Sequence, residues 1–356
     1  VIPHKKPEET RRRLRIEGDD TIRQINSSSW HHQFPGGTIM TIHQHEICLE
    51  SNQHFSGRLP THHLGFLLAD LPVAIHGAVS MALLNRSKAH RKPPNWLRQA
   101  SDLRFTGHGG NGVTHLRFEL PSLDDAASEV YRQQLLFESR RPDGTQTGLD
   151  LLIKVVRDID AVQADSDAFD PQLLLQVAKF RRFFKSGPFS GFRIMGSSSA
   201  SQVDARVTRA TTENSCRLYG RTPTPQRVRL VGNLDGLEAS TQRFSLLLDS
   251  GERITCVYPD EISDRLQELW RKRVLVLGSS VFRASGNVLR VEAESIDEYA
   301  NASSLFSTSP VPGNSRLDAN RLRKTQGARS GMAAIMGRWP GGETEEEIEQ
   351  ALERVS

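Results

Sequence analysis

Between residues 40 and 65 stand His43, His45, His54, His62 and His63, with Cys48 among them. Imidazole and thiolate are the usual zinc ligands, and His43 and His45, two apart on an extended segment, would point from one strand face. A closed zinc site needs four ligands, and no carboxylate or cysteine pair completes the set. The reading is therefore surface or half-buried histidines, with no metal. "GHGGNG" at 107–112 is rich in glycine but lacks the lysine and following helix of a phosphate loop, so it reads as a hairpin turn. "GSSS" at 196–199 offers hydroxyls without a nucleophile elbow around them. Asp158, Asp160, Asp165 and Asp167 flank helix ends, where carboxylates cap and solvate. No catalytic residue and no cofactor is expected, and the chain reads as a non-enzyme.

The elements that would position such residues are bounded by composition. With 356 residues, 37% hydrophobic and 25% charged, the chain has room for about two domains. Its net charge of +4 is modest for a nucleic-acid wrapper. Cys48, Cys216 and Cys256 are odd in number and far apart, which argues against a disulfide framework. No apolar run approaches the roughly 20 residues of a membrane span, so a cytoplasmic protein is expected. Residues 1–39 lack apolar periodicity. They read either as a disordered basic arm or as sequence upstream of a true start at Met40.

An α+β domain is expected over 40–220. Ile42, Ile47 and Leu49 mark a strand over 41–50. Thr61 caps a helix, and Pro72 opens a second one. Leu116, Phe118 and Leu120 share one face of a hairpin strand, and Ser122 with Asp125 has the spacing of a capping box. Further helices start at Thr147 and at Asp170-Pro171, the latter running through Lys179, Arg181, Arg182 and Lys185. "FSGFRIMG" is a strand, followed by a serine-rich, weakly helical segment.

After "GRTPTPQ" the pattern over 224–298 is three strands, a helix and two strands. Gly232 is available for a bend, turns fall at Asp249-Ser250-Gly251 and Ser285-Gly286, and Ile262, Leu266, Leu269 and Trp270 lie on one helical face. In order and spacing residues 227–296 resemble an OB-fold, an OB-like β-barrel plugged by its helix. That resemblance implies either a scaffold or a binder of single-stranded nucleic acid. For the binder the candidate contacts are Arg227 and Arg229 on the first strand, with Phe244, Tyr258 and Phe282 as stacking rings. Glu292 and Glu294 on the last strand oppose it.

Residues 299–330 are rich in serine, asparagine and proline and read as a flexible linker. A helical docking tail follows over 331–356. Met332, Ile335, Met336 and Trp339 fall at helical spacing, Pro340-Gly341-Gly342 breaks the helix, and Thr344 with Glu347 boxes a second one. Ile348, Leu352 and Val355 form its apolar stripe, with glutamates in the first turn. Such short helices cannot hide their stripes alone, so they need a surface, on this chain or on another.

"MGRWPGGETEEEIEQAL" at 336–352 resembles the carboxyl-terminal segment of bacterial antitoxins that pair with PIN-domain ribonucleases. The resemblance implies a toxin-antitoxin role in which Arg338 enters the acidic site of the nuclease, Trp339 anchors, and Ile348 with Leu352 fills a groove. The family's usual amino-terminal DNA-binding module has no counterpart here. The body itself resembles an uncharacterised bacterial family.

Overall fold

A computed structural model describes residues 30–33 and 39–313, apart from 56–57, 89–91, 111–112, 133–140, 186, 198–203 and 302–305, together with Glu346 and Gln350. The chain divides into two units, 1–311 and 312–356. In the first, helices and strands share the chain, an α+β composition.

A six-stranded antiparallel sheet comes first. It is built from β1 (Trp30–Gln33), β2 (Ile39–Ser51), β3 (Arg104–Gly109), β4 (Thr114–Pro121), β5 (Phe189–Met195) and β6 (Asp204–Thr208), in the order β3-β4-β2-β5-β6, with β1 also on β2. Alternation along β2 and β4 sends Ile47, Leu49, Leu116, Phe118 and Leu120 inward. Glu46, Cys48, His115 and Arg117 take the opposite face, paired across the strands as Glu46 with Arg117 and Cys48 with His115.

The helices are α1 (Thr61–Leu84), α2 (Asn95–Ala100), α3 (Leu123–Ala126), α4 (Ser128–Tyr131), α5 (Gly148–Asp160), α6 (Pro171–Ala178), α7 (Arg181–Phe184) and α8 (Arg209–Arg221). α1 runs through Pro72 unbroken, where two helices were expected. An interior proline costs about 3 kcal/mol. Leu67 and Leu71 before it and Ile75, Ala78 and Val79 after it all lie in one core, and that burial offsets the cost. The fused helix is long and apolar enough to span a membrane, contrary to the sequence expectation, but 67% of its most apolar stretch is buried inside the protein. It is the core helix, packed on α2, α5, α6 and α7. Asn85, in the left-handed conformation, ends it by donating to Met81 O.

Two of the local capping signals form as spaced. Thr147 and Asp150 form a reciprocal capping box at α5, and Asp170 caps α6 through Leu173 N. The reciprocal Ser122–Asp125 box does not form: Ser122 N donates to Thr41 O, while Asp125 Oδ2 accepts from Thr41 N at 2.6 Å as well as from Ser122 Oγ at 3.2 Å, which ties α3 to β2. The helix expected through Lys185 breaks between α6 and α7. There Phe180 packs edge-on against Phe192, and Phe183 stacks on Phe189 of β5. Of the segment read as weakly helical, Asp204–Thr208 is strand β6, whose Ala205 and Val207 complete the inner face, and Arg209–Arg221 is helix α8.

The remaining strands, β7 (Gln226–Glu238), β8 (Arg243–Leu247), β9 (Arg253–Val257), β10 (Arg273–Phe282) and β11 (Val288–Glu298), close into a barrel in the order β7-β8-β9-β11-β10. All pairs are antiparallel except β9 with β11. At Gly232 of β7 a side chain would lie 2.6 Å from Leu247 O, so glycine lets β7 cross from β10 to β8. Helix α9 (Ser263–Glu268), between β9 and β10, places Leu266 and Leu269 in the barrel core.

Residues 40–220 and 224–298, expected as two domains, fall in one unit with two cores. Val281, Ala284 and Leu289, at the β10–β11 turn, belong to the core of the first. Around them Ser285 N donates to Ala164 O at 2.9 Å, Ser285 Oγ and Asn287 Nδ2 donate to Asp165, and Arg283 pairs with Asp167. Beneath lies a buried ion pair, Arg290 Nη1 to Asp170 Oδ2 at 3.2 Å, with side-chain exposures of 7% and 1%. Asp170 also accepts from Ser87 N, Ser87 Oγ and Leu173 N. The stretch read as a linker begins fixed to the barrel: Val231 N donates to Phe306 O, and Asp249 N to Ser307 Oγ.

Removing one partner of a buried pair leaves the other charge uncompensated. Asp170→Ala should therefore destabilise the chain by about 3–5 kcal/mol in urea unfolding. A loss below about 1 kcal/mol would show that Arg290 finds other solvation.

Candidate functional site

The rings expected to stack on bases cannot do so. Phe244, Tyr258 and Phe282 have 2%, 2% and 1% exposure and fill cores. Each lands on the inward phase of its strand or at its end, which composition alone does not reveal. Arg227 and Arg229 do project from β7 into solvent, but Arg227 is held by Glu294 at 2.6 Å. Met332, Ile335, Met336, Arg338, Trp339, Ile348, Leu352 and Val355 lie outside the described residues. Glu346 and Gln350 within that stretch have helical backbone and are exposed.

Of the histidines, His54 and His62 are exposed and His43 and His63 half-buried, as expected. His45 differs. It is 2% exposed, with Nδ1 3.2 Å from Met195 O and Nε2 3.0 Å from Thr147 Oγ1. Thr147 Oγ1 also lies 2.9 Å from Asp150 Oδ2, which accepts from Ser197 Oγ at 2.7 Å. This buried chain joins β2, the start of α5 and the end of β5 across more than a hundred residues of sequence, so no local spacing announces it. Burial holds the His45 imidazole below its ordinary value, against the pull of Asp150. Burial also opposes the Asp150 charge, but His45 and the hydrogen bonds of Ser197 and Thr147 together outweigh it and keep the carboxyl below its usual range. Thr147 is fully buried, so this hydroxyl meets no substrate. The network positions secondary structure.

The open face of the sheet carries the second constellation. Cys48 Sγ lies 3.3 Å from His115 Nδ1, and Glu46 Oε2 lies 3.3 Å from the same nitrogen. A nucleophilic thiolate needs the imidazole between thiol and acid, one on each nitrogen. Here both compete for one. Burial, then the Glu46 charge, pushes the Cys48 thiol above its ordinary value, with Arg193 pulling the other way. The pair is a polar contact between a protonated thiol and a ring nitrogen. Among the described residues no three His, Cys, Asp or Glu side chains gather closely enough to hold a metal ion.

Beside this face, where β2 ends, is a cleft of about 320 Å³ lined by Leu49, Glu50, Ser51, Asn52, Gln53, Phe55, Val113, Thr114, Phe189, Ser190 and Arg206. Glu50 is taken by Arg206 at 2.5 Å, and Ser51 Oγ donates to Pro188 O. Its amides and hydroxyls suit hydrogen bonding and leave no free nucleophile and base together. Asp165 and Asp167, read as solvated helix-end acids, instead hold the barrel turn, and Asp158 accepts from Ser166 Oγ.

Comparison with protein-family models, curated proteins and solved structures found no match to the chain.

His45 fixes a sign for pH dependence. Its folded value lies below the unfolded one, so below about pH 6.5 the unfolded chain takes up a proton that the folded chain refuses. Stability should fall as pH drops through that region, with half-buried His76 adding in the same direction. His45→Gln should flatten the decline between about pH 7 and about pH 5 in urea titrations. An unaltered slope would remove His45 as its source.

Proposed function

We propose that this chain is a non-catalytic protein-binding protein, antitoxin-like, which neutralises a PIN-type ribonuclease through its carboxyl-terminal tail. One observation carries the reading: the tail belongs to a unit separate from the body, and within it Glu346 and Gln350 are helical and exposed. In the sequence Ile348, Leu352 and Val355 are spaced as one apolar stripe of a helix. A stripe so disposed suits a groove in a partner, with Trp339 as anchor and Arg338 directed to an acidic nuclease site. The body then serves as scaffold.

We also infer that the barrel is OB-like. The strand order, the parallel β9–β11 pair and α9 after β9 support it. OB-folds commonly bind ligands at the loops after their first and fourth strands. In this barrel those connections are engaged within the chain: Gln242 with Arg86, and residues 283–287 with Ala164, Asp165 and Asp167. That use favours the scaffold. Single-stranded nucleic-acid binding by the barrel remains the second reading, favoured by exposed Arg227 and Arg229 on β7.

Deleting residues 331–356 should abolish co-purification with a PIN-domain ribonuclease that the full chain captures, without changing the melting of the body. Arg338→Ala should relieve inhibition of the nuclease more than it weakens capture. A truncated chain that still captures and inhibits the nuclease would sink the proposal. For the second reading, Arg227→Ala with Arg229→Ala should weaken single-strand binding and lower its salt slope by about two units. Absence of binding at low salt would eliminate that reading.

A further inference from the structure

Charges on the body are not distributed evenly. On the open sheet face Arg117 faces Glu46, Arg193 faces Glu50 and Asp204, and Arg206 faces Glu50. On the barrel Arg227, Arg243, Arg253 and Arg273 each meet a carboxylate within 3 Å. The surface of α7 and α8 is different. Lys179, Arg181 and Lys185 around α7, and Arg209, Arg217 and Arg221 on α8, are all exposed, and Glu213 is the one carboxylate on these two elements and the turn before them. Where these cations find partners, the partners are neutral: Lys179 with Gln176 Oε1, Arg209 with Phe184 O and Arg217 with Asn214 Oδ1. Arg182 stands apart, engaged by buried Asp70 and by the Phe66 ring.

The two cationic groups join into one surface. The Arg209 contact brings the start of α8 to the end of α7, next to Lys185, and Ser215 Oγ donates to Leu174 O, laying α8 along α6. Thr211, Thr212, Ser215 and Leu218 are the buried side of α8. Arg209, Glu213, Arg217 and Arg221, spaced by four, then form a ridge on its outer side.

We infer that this surface binds the phosphate backbone of a double-stranded nucleic acid. Exposed like charges repel one another unless an outside anion supplies the missing sign, and a polyphosphate supplies it at many points together. Guanidinium groups match phosphate geometry. A single strand would call for a series of open rings, whereas Phe180, Phe183 and Phe184 are buried and Tyr219 is the exposed ring of α8. The surface carries charge without base-reading donors in a groove, so binding is sequence-independent and separate from whatever the tail holds.

Fluorescence anisotropy of the full chain with a labelled random-sequence DNA duplex tests this. Affinity should fall at least about tenfold between about 50 and about 200 mM salt. Arg181→Ala, Lys185→Ala and Arg209→Ala together should weaken binding at least about tenfold at low salt and lower the salt slope by about three units. Replacing Arg181 and Arg209 by lysine should retain most of the affinity, which separates charge from misfolding. The inference is overturned by no duplex binding at low salt, by tighter binding to the single strand, by full affinity in the triple variant, or by capture on anionic lipid vesicles without capture of the duplex.

Discussion

Much of this architecture depends on one buried contact, the carboxylate of Asp170 against the guanidinium of Arg290. Asp170 begins as a local device, the cap of α6 beside Pro171. Once the barrel turn packs over it, that cap also holds the loop after α1 through Ser87 and a charge from β11. Desolvating two ions is costly, and on the Asp170 side the cost is offset by Ser87 Oγ and Leu173 N on Oδ1 and by Ser87 N on Oδ2. Arg290 in turn is shared with Glu292, which holds the second arm of its guanidinium at 2.9 Å.

This constraint decides what the barrel presents to solvent. With residues 283–287 seated against the α5–α6 loop and Gln242 engaged by Arg86, one end of the barrel is an internal interface. Its rings are core, and Phe306 with Ser307 runs along β7 and the β8–β9 turn. Exposed chemistry is thereby displaced to the open sheet face, where charges pair with one another, and to α7 and α8, where, Arg182 aside, the cations face neutral partners or solvent.

The polar networks follow the same division between near and distant causes. The Thr147–Asp150 box is legible in four consecutive residues, yet its buried position beneath His45 and Ser197 comes from β2 and β5 folding over it. Cys48 and His115 meet because β2 and β4 are in register, and the thiol is kept protonated by burial and by Glu46 two residues away. Neither assembly has a nucleophile that is both activated and accessible.

What the amino-acid order determined by itself was local and periodic. It marked the caps of α5 and α6, the inward phase of β4, the turns at Asp249-Ser250-Gly251 and Ser285-Gly286, and the strand-helix-strand order of the barrel. These depend on hydrogen bonds and side-chain phase within a few residues. Tertiary structure alone decided that Pro72 stays inside one helix, that Thr41 bonds both Ser122 N and the Asp125 carboxylate, and that Asp165 and Asp167 grip a barrel turn. It likewise decided that Phe244 and Phe282 are core instead of binding surface. In each case the deciding free energy is burial or desolvation by residues far away in sequence, a quantity that no local window contains.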